Sequence, residues 1–323
     1  MKIIDNHIKQ SLYAFFLLCS LFSFALSVSA QQNTFDSKLN WKVGDSQSYT
    51  VTKIGKISLR GDPYEVTTNS DITISVLERV GDGYLLGWKF GETTFDDPTI
   101  TENPIVLTIT NILNGFEMKL VVNRYGELLD VKNWAEMRDR VFTIVDNLMS
   151  ILSKEDVLSK EQLEAVKQQI LSMYETKEQA INITTRSVRL YFVASGVKYN
   201  LDEPIVYDGV SPNIFGGDPI PAKMTLTLES IDKEADIAKV SWFQEVDQDA
   251  LQQAVYEALT KMAKNMDTTL PNADELPRYE KSLSLAAELE IAVSSGWVNR
   301  IKYIKITKSE GKEDIETDIW QKK

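Results

Sequence analysis

From Trp41 to about Val131 hydrophobic and polar positions alternate with period two. The stretches SYTVTKIGKISLR, YEVTTNSDITISVLERV, YLLGWKF, PIVLTITNIL and FEMKLVVN are rich in Val, Ile, Thr, Tyr and Phe, and turn residues such as GDP, GDG and NG bound them. This predicts five or six antiparallel strands in a meander. Asn114-Gly115 is the strongest hairpin turn among them, because both residues tolerate positive φ.

At Lys132 the period changes. Trp134, Met137, Val141, Ile144, Val145, Leu148, Met149 and Leu152 fall three and four apart, which makes one apolar stripe on a helix. A second helix is predicted from Lys160 to Ala180, with Leu163, Val166, Ile170, Met173 and Tyr174 on its apolar side and Ser153 or Ser159 as its cap. Strand patterns return at Thr185. SVRLYFVASGVKYNL is one candidate, YDGVSPNIFGGDPIPAK interrupts with prolines and paired glycines, and MTLTLESI and IAKVSWFQEV flank a DKEAD turn. A third helix is expected from Asp247 to Met266, then the loop TTLPNADELP, then three strands within RYEKSLSLAAELEIAV, VNRIKYIKITKS and DIETDIWQ.

The sum is an α+β chain of about eleven strands and three helices with no separating linker. An antiparallel sheet of that length curls or splits. The expected architecture is therefore a large curved antiparallel sheet, half-barrel-like, with helices on its concave side. It forms one domain over 31–323: β-rich at 39–131, helical at 132–181, and β-rich with one helix at 185–323.

The first thirty residues follow another pattern. Lys2 and Lys9 precede an apolar run from Leu12 to Leu26, and Val28-Ser29-Ala30 offers small residues for signal peptidase, with cleavage after Ala30. The run is about 15 residues long, short of the roughly 20 that span a bilayer. Leu18 before Cys19 does not fit a lipoprotein signal. The protein is expected in the periplasm or outside the cell of a Gram-negative bacterium, with no transmembrane span after cleavage.

That leader holds His7 and Cys19, the single histidine and single cysteine of the 323 residues. The cleaved chain would have neither. Ser-His-Asp and Cys-His nucleophile systems, zinc sites built on His or Cys, and disulfides are all excluded by it. Net charge is −12, with 35 basic against 47 acidic residues, which disfavours nucleic acid and anionic membrane surfaces as partners. A hydrophobic share of 43% marks a chain with a packed core.

Candidate chemistry is sparse. VSPNIFGGDPIP lacks the spacing and the lysine of a phosphate-binding loop. Its tip, Ile214, Phe215, Gly216 and Gly217, is the best candidate for a loop that covers a ligand. DKEAD has calcium-like acid spacing but lacks the Gly and Glu that the twelve-residue calcium loop requires, so it reads as a hairpin turn. Trp41, Trp88, Trp242 and Trp297 lie in or beside strands and read as core. No catalytic residue, metal ligand or cofactor is assigned.

LNWKVGDSQSYTVT, GGDPIPAKMTLTLESID and AVSSGWVNRIKY resemble a group of secreted proteins of Bacteroidetes-type bacteria that open with a K-x-G-[DE]-x-x-x-Y strand and close with a Gly-Trp turn between strands. The group implies no activity. At the level of fold, the strand and helix count is similar to the half-barrel carriers of lipoproteins and lipids in the bacterial envelope. Three functions fit. The first is a non-enzymatic envelope protein with an apolar ligand such as lipid on the concave side. The others are a structural or partner-binding module without ligand, and a carboxylate-based hydrolase.

Overall fold

A computed structural model describes residues 33–57, 64–97, 100, 103–110, 113–154, 159–213, 218–265, 282–309 and 312–323. The chain separates into Met1–Thr34 and Phe35–Lys323. The leader expected over residues 1–30 lies outside the described residues, and the second unit carries all that follows.

The strands are β1 (Thr34–Asp36), β2 (Ser46–Ile57), β3 (Tyr64–Val80), β4 (Gly83–Phe95), β5 (Glu117–Val122), β6 (Leu128–Val131), β7 (Lys198–Asn200), β8 (Ile205–Ser211), β9 (Ile220–Asp232), β10 (Ile237–Val246), β11 (Ser282–Ala292), β12 (Val298–Ser309) and β13 (Lys312–Lys322). Among the described residues the helices are α1 (Pro104–Thr110), α2 (Trp134–Lys154), α3 (Lys160–Ser172), α4 (Lys177–Thr184), α5 (Arg186–Tyr191) and α6 (Gln248–Asn265). Eleven strands form one open antiparallel sheet in the order β6-β5-β4-β3-β2-β13-β12-β11-β10-β9-β8, and β1 pairs with β7 apart from it. The fold class is the expected α+β arrangement with a large unclosed sheet.

Three segments depart from the expected pattern. PIVLTIT is helix α1, not strand: Asn103 Oδ1 accepts from the Ile105 and Val106 amides, and Pro104 takes the first helical position, where no amide hydrogen is needed. The cap outweighs the β-branched composition. The helix expected over 160–180 breaks into α3 and α4, because Ser159 with Gln162 and Thr176 with Gln179 each close a capping box. The strand expected in SVRLYFVASGVKYNL is helix α5 followed by turns, and only its end, Lys198–Asn200, is strand, as β7. Val188, Tyr191 and Phe192, three and four apart, drive one buried face into the core. Helical structure thus runs to Tyr191, past the expected limit at 181.

The sheet is curled, and hydrogen bonds measure it. The turn after β5 and the turn after β11 lie six inter-strand steps apart, roughly 29 Å on a flat sheet at ~4.8 Å per step. Yet Leu39 N donates to Arg124 O of the first turn at 3.1 Å, and Asn40 N donates to Ser295 O of the second at 3.0 Å. Two adjacent residues hold these carbonyls within about 10 Å of each other. Ser37 N likewise donates to Val197 O at 3.0 Å. The segment from Ser37 to Trp41 is therefore a strap across one end of the concave face. Trp41 stacks on Trp297 at 4.0 Å, and Tyr84 Oη accepts from Trp41 N at 3.1 Å. Gly296, at φ +75°, lets the strap approach, since a Cβ there would lie 2.7 Å from Lys38 O.

Alternation sets which side chains fill the curl. Tyr49 and Val51 of β2, Ile72, Ile74 and Val76 of β3, Leu86 and Trp88 of β4, Ile301 of β12 and Trp320 of β13 all point to the concave side and are buried. Helices α4 and α5 descend onto them through Ala180, Val188 and Tyr191. Asp130, at the end of the sheet, ties α4 down through Lys177 at 2.5 Å; that lysine, with Lys132, holds the carboxyl below the usual carboxylate range. At the centre, Tyr191 meets Trp88, Tyr49 and Trp320 at ring distances of 5.6, 5.6 and 6.1 Å. Tyr49 Oη donates to Val298 O at 2.8 Å, so the 2.8 Å contact between the two phenols must carry the Tyr191 proton to Tyr49. Val298 N donates back to Tyr191 Oη at 3.3 Å, which closes a ring of hydrogen bonds.

Tyr191→Phe removes one member of this ring and leaves the Val298 amide without an acceptor. It should cost about 1–3 kcal/mol in denaturant titrations, and an unchanged midpoint would contradict the ring. Burial also pushes the Tyr49, Tyr191 and Tyr199 phenols far above their ordinary 10.0. The unfolded chain ionises them near pH 10 and the folded one does not. Stability is intact below about pH 10 and should drain away above it by ~1.4 kcal/mol per pH unit for each phenol. Urea midpoints followed from neutral to about pH 11 test this, and a flat profile would contradict it.

Candidate functional site

The strap and the aromatic cluster close one half of the concave face. Beyond Tyr191 the same strands continue with a different character. Register aligns Ile205, Leu226, Trp242, Ala287, Tyr303, Asp318, Lys53 and Thr68 in one inward-facing row across the sheet. The next row is Tyr207, Met224, Gln244, Leu285, Lys305 and Glu316. Both rows are apolar toward β8 and charged toward β2.

The charged part is a linked cluster. Arg186, at the start of α5, donates through Nη2 to Tyr303 Oη at 2.8 Å and sits 5.5 Å from the ring centre. Burial alone would lower the Arg186 pKa, but Tyr303, Asp318 and Glu316 around it raise it on balance. Burial pushes the Tyr303 phenol up, although Arg186 partly offsets this. Lys305 Nζ pairs with Glu316 at 2.6 Å and Lys53 Nζ approaches Asp318 at 3.5 Å. Three cations thus face two carboxylates. In the same row as Lys305, two strands away, Gln244 is buried and its Nε2 has no protein hydrogen-bond partner, as is true of the indole nitrogens of Trp41, Trp88, Trp242 and Trp320. A buried amide nitrogen left unmet costs about 1–3 kcal/mol, so its presence needs a reason.

Strand polarity inverts here. On β2, β12 and β13 the charged residues Lys53, Lys305, Glu316 and Asp318 face inward, while Ile54, Ile304, Ile306, Ile315 and Ile319 face the convex side. Ile315 is 46% exposed and Phe243, on the same convex face, is 44% exposed.

The helices carry apolar surface that is only partly buried. Of the 21 residues of α2, Met137, Val141 and Val145 are buried; Phe142, Ile144, Leu148 and Leu152 are half-buried. On α3 Leu163 is buried while Val166 is 40% exposed. Helix α6, capped by Asp247 Oδ1 on the Ala250 amide, packs Ala254 against Ile220, Ala222 and Val246 and leaves Leu259 exposed.

The loop tip singled out from sequence, Ile214, Phe215, Gly216 and Gly217, lies outside the described residues. The interruption around it is shorter than expected. Strand pairing of β8 with β9 runs to Ser211 opposite Ile220 and takes in Pro221, which fits because Pro221 lies at the start of β9, just beyond the last β9–β10 pair, Ala222 with Val246. DKEAD is the β9–β10 hairpin turn: Asp232 Oδ1 accepts from the Glu234 and Ala235 amides, and the Asp236 carboxylate accepts from Ser294. Among the described residues no group of three or more His, Cys, Asp or Glu could hold a metal ion. Trp41, Trp88, Trp242 and Trp297 are all buried.

Sequence reasoning passed over Arg186, Tyr303, Glu316 and Asp318. The signal lay in DIETDIWQ: with period two, Glu316 and Asp318 share the face of Trp320, the largest residue of the strand and the one that must be inside.

If Gln244 has no partner in the free protein, Gln244→Leu keeps the volume and removes an unmet donor. Thermal and urea denaturation of the ligand-free protein should show it about 1 kcal/mol more stable than wild type; a loss of stability would mean that the amide is satisfied.

No family model matches the chain, and no curated protein matches it. Among solved structures, one of lipovitellin, described for its lipid–protein interactions, is similar over 88% of this chain with 8% identity and a TM-score of 0.40. The chain spans about a quarter of that protein's length, 25%.

Proposed function

We propose that this chain is an exported, non-enzymatic envelope protein that holds an apolar chain, such as the acyl chain of a lipid, on the open half of its concave face. The observation that carries the reading is the incomplete burial of apolar side chains on α2, α3 and α6, beside inward-facing Met224, Leu283 and Leu285, which are themselves half-buried. Helices that served only as covers for the sheet would bury such stripes, since each apolar side chain left in water forfeits about 1.5–3 kcal/mol. An apolar ligand would recover that free energy. Export rests on the pattern of residues 1–30. No described helix is long and apolar enough to cross a membrane.

A second reading, a partner-binding module, is favoured by the convex face, where Val206, Phe243 and Ile315 are exposed. A carboxylate-based hydrolase would draw on Glu316 and Asp318, the inward acids of the open half. Each is paired with a lysine.

Protein expressed with its leader and purified without detergent should release acyl-chain lipid on solvent extraction, detected by mass spectrometry, at about one per chain. Leu148→Asp and Val166→Asp should each weaken displacement of an apolar fluorescent probe by roughly tenfold. Lipid-free protein that leaves the probe dark would overturn the reading.

A further inference from the structure

We infer that the open half of the concave face also recognises an anionic head group, a carboxylate or a phosphate at the end of the apolar chain, through Arg186, Lys305 and Lys53. This rests on the apolar-chain reading and adds the polar end of the ligand to it.

Four observations converge. The chain as a whole carries a net charge of −12, yet at this spot three cations face two carboxylates. The site therefore runs against the charge of the rest of the protein. Second, Arg186 is held in place without being used up. Tyr303 fixes one Nη by a hydrogen bond and lies 5.5 Å below the guanidinium, and the remaining N–H groups meet no other protein acceptor among the described residues. An arginine oriented in this way offers the planar fork that carboxylate and phosphate oxygens fit. Third, Gln244 supplies a buried donor with no protein partner in the row that also holds Lys305. At the usual strand spacing the two residues are about 10 Å apart, close enough for one head group and its first carbons to span. Fourth, the inverted polarity of β12 and β13 puts charge where a binder of plain hydrocarbon would place Ile304 and Ile306, and sends those isoleucines to the convex side.

Glu316 and Asp318 have a part in this. They hold Lys305 and Lys53 in position in the free protein and repel the incoming anion, so they set the affinity as well as the geometry. The consequence is a pair of opposite effects. Removing Arg186 should weaken anion binding, whereas neutralising Glu316 should strengthen it. A network that served stability alone would respond to both changes as losses of folding, with no effect on the choice of ligand.

The experiment compares dodecanoate, dodecyl phosphate, dodecan-1-ol and inorganic phosphate by calorimetry on the full-length exported protein. The two anionic amphiphiles should bind at least about tenfold tighter than the alcohol, with the preference falling as salt is raised. Which anion binds tighter identifies the carboxylate or the phosphate as the natural head. Arg186→Ala should erase the preference of the anions over dodecan-1-ol, Arg186→Lys should restore part of it, and Glu316→Gln should enlarge it. If Arg186→Ala does not fold, Lys53→Ala should reduce the preference in the same direction by about threefold. Equal binding of the anions and the alcohol overturns head-group recognition and leaves the apolar-chain reading standing. Inorganic phosphate binding as tightly as dodecyl phosphate would make the ligand a free anion and overturn the amphiphile. If none of the amphiphiles binds, the apolar-chain reading falls and this inference falls with it.

Discussion

The closed ring of hydrogen bonds among Tyr49, Tyr191 and the backbone of Val298 is the constraint on which the rest of the structure depends. It joins β2, α5 and β12 at a point with no access to water, where each unmet polar group would cost more than the bond returns. The rings that carry these hydroxyls bring Trp88 and Trp320, three strands apart, to within 5.9 Å. On a flat sheet their strands would be roughly 14 Å apart. Filling the middle with aromatic side chains therefore goes together with the curl: the rings fit only if the sheet bends around them, and the bend is held because they are there.

This filled middle divides the concave face. On one side the strap from Ser37 to Trp41 joins distant turns and seals the end. On the other side no strap crosses among the described residues, the inward positions turn charged, and the helices keep part of their apolar surface in water. A half-barrel filled from end to end would be a structural module. One empty from end to end would lack the anchor that sets its curvature. The arrangement observed here packs one half around aromatic rings and leaves apolar and charged side chains of the other half partly exposed.

Inversion of polarity on β12 and β13 follows from the same geometry. Trp320 must point inward to meet Tyr191 and Tyr49, and the pleat then commits Asp318 and Glu316 to the same side. Ile315 and Ile319 are sent outward by the same rule. A one-residue slip would bury the isoleucines and expel the tryptophan, so the aromatic anchor fixes the register for the whole strand.

Much of the scaffold was legible in the sequence. Period-two alternation located most strands of the large sheet, and spacings of three and four located α2, α3 and α6, because both patterns depend on local geometry alone. Local signals were also present where the pattern misled: Asn103-Pro104 as cap and first turn, and the two capping boxes that divide α3 from α4. The site was not legible, because alternation separates two faces without saying which one is inside. That choice was made by long-range contacts: Trp320 against Tyr191, Leu39 against the turn at Arg124, and Arg186 against Tyr303 across 117 positions of sequence. The sequence by itself determined the elements, the excess of negative charge, and a leader-like start that holds the lone histidine and cysteine. Only the tertiary structure decided that the sheet curls, which half is filled, and that a cluster of charges faces inward, since each of these depends on residues that meet only after the chain has closed on itself.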